Sequence, residues 1–303
     1  MSERKLLSTT NIIQLALRVG RYLPIRAAPA FAAIWSRIAA VVQPPIYRGA
    51  RANLRHVLGP DTTPRDLRHT LHRLFINTGR RYYETFCNLG RGITRAEHFR
   101  PPVIVTPETQ TRIEGALATG KGLLILACHT ANFDLGGIAL AQWMPVPLQV
   151  LSLADPTPDV EVFNHLRREA GVMMTPITAQ ALRDAMQRLR AGGAVATGPD
   201  YPTDDGSPPV AFFGAPANLP TGYVRLPLRT GSLVMTVAIR WRDGAYYVEG
   251  NPPLELVHTG DRAQDVQVNI RRILDEVEAI VREQPEEWMM FEPVWQDDVE
   301  IAQ

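Results

Sequence analysis

The stretch that most constrains this chain is Gly122-Leu-Leu-Ile-Leu-Ala-Cys-His-Thr-Ala-Asn-Phe-Asp134. Five consecutive apolar residues, Leu123 to Ala127, stand between a glycine and a polar run. A run of that length without polar alternation is a strand buried on both faces, which calls for a largely parallel sheet covered by helices on each side. Chemistry begins where the strand stops. His129 leaves the carboxyl end, Asn132 is placed to cap a helix, and Asp134 falls in that helix's first turn. Ligand sites of open α/β sheets lie in the crevice outside the carboxyl ends of the strands, so this His-x4-Asp stands where a site belongs.

The rest of the chain supplies partners for such a strand. Val103–Val105, Leu148–Leu153, Val172–Thr175, Val195–Thr197 and Leu233–Arg240 read as further strands, and helices fill 108–119, 134–143, 159–170, 179–191 and 221–230. The alternation predicts an α/β fold with a largely parallel central sheet flanked by helices. Arg242-Asp-Gly-Ala245 turns the chain into Tyr246–Glu249, predicting an antiparallel hairpin at the end of the sheet, and an amphipathic helix over 264–282 closes it. Upstream, Thr63-Pro-Arg-Asp66 opens a helix whose Leu67, Leu71, Leu74, Phe75, Thr78, Tyr82 and Phe86 recur at helical spacing, a core-facing helix. His56, His69 and His72 are expected on solvated faces, and no pair of them has the spacing of a metal site.

An imidazole at a strand end is structural in most proteins. Here a carboxylate lies five residues on, about 140° away on a continuous helix but within reach across a strand–loop–helix junction. A carboxylate on one ring nitrogen fixes the tautomer and leaves the other to take a proton from a hydroxyl. The expectation is therefore that Asp134 orients His129 as a general base. Cys128, the neighbour of His129 on the strand, points to the opposite face and reads as packing. With Cys87 it makes only two cysteines in 303 residues, too few for a disulfide scaffold or a cysteine-rich metal site.

Net charge is +1 for the whole chain but is unevenly placed. Residues 1–56 hold nine basic residues against Glu3, a net of +8, so the remainder carries −7. The basic residues interleave with Ile12, Leu15, Phe31, Ile34, Trp35, Ile38, Val41 and Val42. Arginines and prolines break each apolar run before the length of a spanning helix, and no uninterrupted secretory core is present. Residues 1–56 are thus expected to form a basic amphipathic helical segment lying in the headgroup layer, with 57–303 as the catalytic domain. The alternatives are an arginine-rich helical pair packed on the core or, less well supported without regularly spaced aromatics, a nucleic-acid surface.

Three blocks carry a resemblance. Gly120 to Asp134 is similar to the first block of the bacterial lipid A late acyltransferases, the lauroyl and myristoyl transferases, a family that includes phosphatidylinositol mannoside acyltransferases. Gly198-Pro-Asp-Tyr201, with Val210-Ala-Phe-Phe-Gly-Ala-Pro216 and Pro220-Thr-Gly-Tyr-Val224, resembles that family's Asp-containing loop and Phe-Phe-Gly stretch, and Gln284-Pro-Glu-Glu-Trp288 through Trp295 its closing motif. The blocks fall in the family's order across about residues 100–295. Two features depart from it: many lipid A enzymes have glutamate where this chain has Asp134, and the closing motif has Glu292-Pro293 in place of its usual histidine.

The resemblance implies an O-acyltransferase that moves a fatty acyl group from an acyl thioester, carried by acyl carrier protein or coenzyme A, to a hydroxyl of a glycolipid or lipid A-type acceptor. His129 and Asp134 are then catalytic, and Asn132 or backbone amides face the oxyanion. Arg167, with Arg168 next to it, matches the family's functional arginine; on spacing alone either is an exposed surface arginine. Asp200 orders substrate, where the bland reading is a turn cap, and Phe212, Phe213 and Gly214 help to line the acyl channel, where the bland reading is core. A long apolar groove beside His129 is required, since a twelve-carbon chain is worth on the order of 9 kcal/mol in burial at about 0.8 per methylene. No metal or bound prosthetic group is needed, and the expected location is peripheral, at the cytoplasmic face of the inner membrane. A thioesterase using water with the same base, and a non-catalytic lipid-binding protein, are the rival readings.

Overall fold

A computed structural model describes residues 9–203 and 208–298. Arg4, Lys5 and Glu3 of the basic segment lie outside the described residues. Four helices open the chain: α1 (Thr9–Gly20), α2 (Ala28–Val42), α3 (Pro45–Leu58) and α4 (Pro64–Gly90). The alternating part then runs β1 (Val103–Val105), α5 (Pro107–Ala118), β2 (Leu123–Ala127), α6 (Phe133–Trp143), β3 (Leu148–Ser152) and α7 (Pro158–Glu169). It continues with β4 (Met173–Pro176), α8 (Ala179–Arg190), β5 (Ala194–Thr197), β6 (Val210–Phe212) and β7 (Ala215–Ala217). A short α9 (Arg225–Thr230), β8 (Leu233–Arg242), β9 (Ala245–Gly250) and a long α10 (Arg262–Glu283) complete it. The helix expected over 221–230 is divided, a 3-10 turn at Gly222–Val224 leading into α9.

The main sheet has seven strands in the order β1-β9-β8-β2-β5-β3-β4. All neighbours pair in parallel except β8 and β9, the antiparallel hairpin predicted from Asp243-Gly244. From β2 the chain crosses through α6 to β3 and β4, and returns with β5 between β2 and β3. That return makes a switch point beside β2, the position at which such sheets open a crevice. The alternation along β2 shows why five apolar residues are needed. Leu124 and Leu126 enter one core with residues of α8, α10 and the C-terminal tail, while Leu123 and Ile125 enter another with α5 and α6.

The N-terminal helices pack with inverted polarity. On α2 the small residues Ala28, Ala32, Ser36 and Ala39 are buried, seated against α4, where a side chain on Gly79 would strike Trp35 and Ala32. Its large apolar residues Phe31, Ile34, Ile38, Val41 and Val42 face outward, as do Ile12, Leu15 and Val19 of α1. The helices thus pack on the domain and also expose an apolar face. By length and composition Ile25–Val42 is also apolar enough to cross a membrane, tolerating Arg26 and Arg37, so the arginines interrupt this segment less than the sequence suggests. His56 is not on a solvated face either. Its ring stacks on Trp295 at 4.0 Å and Nε2 lies 3.0 Å from Asp298.

Candidate active site

Strands β2 and β5 are neighbours, with Leu126 opposite Thr197. Three residues beyond each come His129 and Asp200, so the register delivers the pair side by side at the carboxyl edge. His129 Nδ1 lies 2.7 Å from Asp200 Oδ1, and the His129 backbone N–H donates to Oδ2 at 2.9 Å. Trp288 Nε1–H donates to the same Oδ2 at 2.9 Å. Asp200 is fully buried, whereas a quarter of the His129 side chain is exposed. Burial alone would push this carboxyl up; the charge of His129 and the donors around it outweigh burial and hold Asp200 below its ordinary value. An ionised carboxylate only accepts, so the proton of a neutral ring sits on Nδ1 and Nε2 presents a lone pair.

Two backbone features seat the ring. A Cβ on Gly198 would lie 2.7 Å from His129 Cε1, so only glycine leaves the imidazole its place. The tail then clamps the loop: Met289 N–H donates to the His129 carbonyl and Ala131 N–H to the Glu287 carbonyl, each at 2.8 Å. Ala131 adopts a positive φ of 43°, a conformation unfavourable for alanine and fixed here by that clamp.

Asp134 does not orient His129. Its Oδ2 accepts from Arg81 Nη2 at 2.6 Å and from Nε at 3.2 Å, and its Oδ1 accepts from Arg167 Nη2 at 2.5 Å. The physical reason is the helix start. Asn132 caps α6 through the Leu135 N–H, which directs Asp134, in the first turn, toward α4 and α7. Burial pushes this carboxyl up, but Arg81 and Arg167 outweigh it and lower it below its ordinary value. The Arg81 guanidinium is itself buried, 4.0 Å from the centre of the Phe133 ring and 4.7 Å from that of Tyr82. Phe133 in turn meets the His129 ring edge-on at 4.7 Å. The aspartate of the motif therefore acts on the site through Arg81 and Phe133, and the ring's partner comes from another strand.

The other predicted residues divide. Arg167 joins the site, held also by Asn164 Oδ1 at 2.9 Å, while Arg168 pairs with Glu161 on the surface. Asn132 is buried, its Oδ1 accepting from Leu135 N–H and Thr85 Oγ1–H, so its side chain serves the helix cap. Phe212 is buried against Trp295 and Trp288, and its carbonyl accepts from Trp295 Nε1–H. Phe213 and Gly214, both at positive φ, form the two-residue turn between β6 and β7, with Phe213 N–H bonded to Glu278. The Phe-Phe-Gly stretch is thus a hairpin braced under the tail. Cys128 is buried, and burial drives its thiol well above the ordinary value, as its inward-facing strand position predicted.

Arg81, Trp288 and Gly198 were not singled out by sequence reasoning. α4 was expected to face the core through Leu67, Leu71, Leu74, Phe75, Thr78, Tyr82 and Phe86, yet Arg81, Glu84, Thr85 and Asn88 on it are buried as well. Polar residues recurring three and four apart beside an apolar stripe were the available signal. Trp288 and Gly198 both lie in blocks noted for resemblance, but neither spacing nor residue type shows that one bonds, and the other makes room for, the histidine pair.

Half-exposed rings continue from the site. Tyr82 contacts Phe86 and Phe163, and Phe86 contacts Phe163, with centroids 5.9 to 6.4 Å apart. Clefts of about 1070 and 570 Å³ lie elsewhere, and neither is lined by His129, Asp134 or Asp200.

Fold and site together define an α/β protein with a carboxylate-oriented imidazole at the carboxyl ends of adjacent parallel strands, a constellation suited to proton transfer. The sequence matches the bacterial lipid A biosynthesis acyltransferase family over residues 4–297, and the chain belongs to that family. It is also similar to phosphatidylinositol mannoside acyltransferases. With that of Mycobacterium tuberculosis, strain ATCC 25618 / H37Rv, it shares 24% identity over 190 residues, 62% of this chain and 58% of the relative. With that of Mycolicibacterium smegmatis it shares 22% over 187 residues, 61% of this chain and 60% of the relative. The match thus spans less than two thirds of these relatives' own length.

Proposed function

We propose that this protein is a membrane-associated lipid O-acyltransferase, using His129 as general base and Asp200 as the group that orients it. The observation that carries the reading is the 2.7 Å contact between His129 Nδ1 and Asp200 Oδ1, which leaves Nε2 open to substrate. Nε2 takes the proton of an acceptor hydroxyl as its oxygen attacks the carbonyl of an acyl thioester. The tetrahedral intermediate collapses with loss of thiolate, which takes the proton back from Nε2, giving ester and free thiol. Asp134, held by Arg81 and Arg167, fixes the first turn of α6 and the floor beneath the ring.

The donor is an acyl carrier protein or coenzyme A thioester, and the acceptor a glycolipid hydroxyl. The rings of Phe133, Tyr82, Phe86 and Phe163 support an apolar lane for the acyl chain, leading from His129 toward the side on which α1 meets α7. Outward-facing Ile12, Leu15, Phe31, Ile34, Ile38, Val41 and Val42 support attachment of residues 1–56 to the cytoplasmic face of the inner membrane, with the acyltransferase domain over 57–303.

Incubation of the protein with a long-chain acyl thioester and extracted bacterial glycolipids, followed by lipid mass spectrometry, tests this. Acylated lipid formed by the wild type and lost in His129→Ala is the expected result. Free fatty acid as the sole product would establish a thioesterase, and identical lipid profiles for the two proteins a non-catalytic binder.

A further inference from the structure

Far from His129 in sequence and lining, a cleft of about 570 Å³ lies between α3 and the start of α4. Arg51, Arg55 and Arg68 line it together with Tyr47 and Gln43, and no acidic side chain does. Arg51 and Arg55 are four apart on α3 and share one of its faces, while Arg68 comes from α4. The two helices converge on one point: the charges of Arg51 and Arg68 both act on Tyr47, whose phenol burial nevertheless keeps above its ordinary value and so protonated. Among the described residues none of the three arginines forms an ion pair, whereas Arg73 and Arg81, further along α4, both do. Like charges gathered from two helices with no counter-charge repel one another unless an anion sits between them. Guanidiniums beside a phenol hydroxyl match the oxygens of a phosphate.

The position of the cleft selects the source of that phosphate. Its lining begins at Gln43, directly after Val41 and Val42, which end the outward apolar face of α2 at 84% and 66% exposure. If that face enters the acyl region of a bilayer, the residues next to its end stand at headgroup depth. We propose that the Arg51, Arg55 and Arg68 cleft binds the phosphate of an anionic phospholipid headgroup and so fixes how the N-terminal helices sit on the membrane. This rests on the membrane attachment argued above, and on nothing in the acyl-transfer chemistry.

The full-length protein is compared with Arg51→Gln/Arg68→Gln and with Arg26→Gln/Arg37→Gln, which removes equal charge from outside the cleft. Binding is measured to phosphatidylcholine vesicles with and without phosphatidylglycerol, and by calorimetry to monomeric short-chain phosphatidylglycerol and to inorganic phosphate. The cleft variant should lose roughly 30-fold in affinity for the anionic vesicles, about fivefold per arginine. It should also lose saturable binding of the short-chain lipid, which the Arg26/Arg37 variant keeps. Equal vesicle losses in both variants with no saturable short-chain binding would overturn the proposal in favour of diffuse charge. Inorganic phosphate bound as tightly as the lipid, with vesicle affinity unchanged in the cleft variant, would overturn it in favour of a free-phosphate site. Short-chain lipid bound through the cleft by a protein that ignores vesicles would uphold the headgroup site and remove the membrane attachment. None of these readouts depends on turnover, so His129→Ala should match the wild type in all of them.

Discussion

Two buried aspartates stand at the same edge of the sheet and have opposite companions. Asp200 faces one imidazole and one indole N–H, and Asp134 faces two guanidiniums. In both, charge and hydrogen bonding outweigh burial and the carboxyl stays ionised. The consequences differ because guanidinium holds its proton throughout the physiological range while imidazole exchanges one. Around Asp134 the charge is fixed and the outcome is structural. Around Asp200 the partner is an imidazole whose Nε2 is left open, the arrangement that a general base requires.

Exchanging the roles should break this contrast most visibly. Asp200→Asn keeps the shape and one acceptor oxygen but puts an NH2 donor where the second oxygen stood, so the ring's tautomer is no longer fixed and acyl transfer should fall roughly 10²–10⁴-fold, with the loss chiefly in rate. Steady-state rates beside a thermal melt check it; an Asn variant retaining full rate would assign the ring's orientation elsewhere. Asp134→Ala should do the reverse in kind. It leaves Arg81 buried without its carboxylate, a loss of about 3–5 kcal/mol in stability, read as a shifted denaturant midpoint.

A third buried acid sharpens the comparison. Glu84 on α4 has a neutral partner, the Tyr246 hydroxyl, and burial raises it to about 8 despite that bond and Arg80. Its folded value lies above the unfolded 4.5, so the native state keeps a proton that the unfolded chain releases. Its contribution is full below about pH 4.5 and is lost as pH rises toward 8, opposite to the two aspartates, whose contribution is present above 3.8 and lost as pH falls through their lowered values. Denaturant titrations at pH 5 and pH 8 should therefore show less decline for Glu84→Gln than for the wild type, a difference of about a few kcal/mol. The smallest effect is expected at Gly198→Ala, where one methyl against Cε1 forces the ring or its loop aside. A cost of about 1–3 kcal/mol, divided between stability and rate, is the expectation; unchanged kinetics would show that the ring's seat is not exclusive.

Much of this molecule was legible before its folding was known. β1 and β2 run over the residues that the apolar runs marked, β8 and β9 form the hairpin that Asp243-Gly244 announced, and α4 starts at the Thr63-Pro64 cap. Of the two arginines proposed, Arg167 reaches Asp134 and Arg168 pairs with Glu161 on the surface. The pairing of His129 was not legible. Proximity in sequence favoured Asp134, and only the insertion of β5 beside β2 shows that a residue 71 positions away is nearer. The hairpin at Phe212 and Phe213 was not legible for a related reason, since an aromatic pair at a hairpin tip has the composition of a channel wall.

The sequence by itself determined the strand, its histidine and the placing of both at a carboxyl edge, because local periodicity and caps act over a few residues. Tertiary structure decided which carboxylate meets the ring, which arginines are buried and which apolar residues face out. Those choices depend on strand order and helix packing, which bring together residues whose separation along the chain carries no record of the contact.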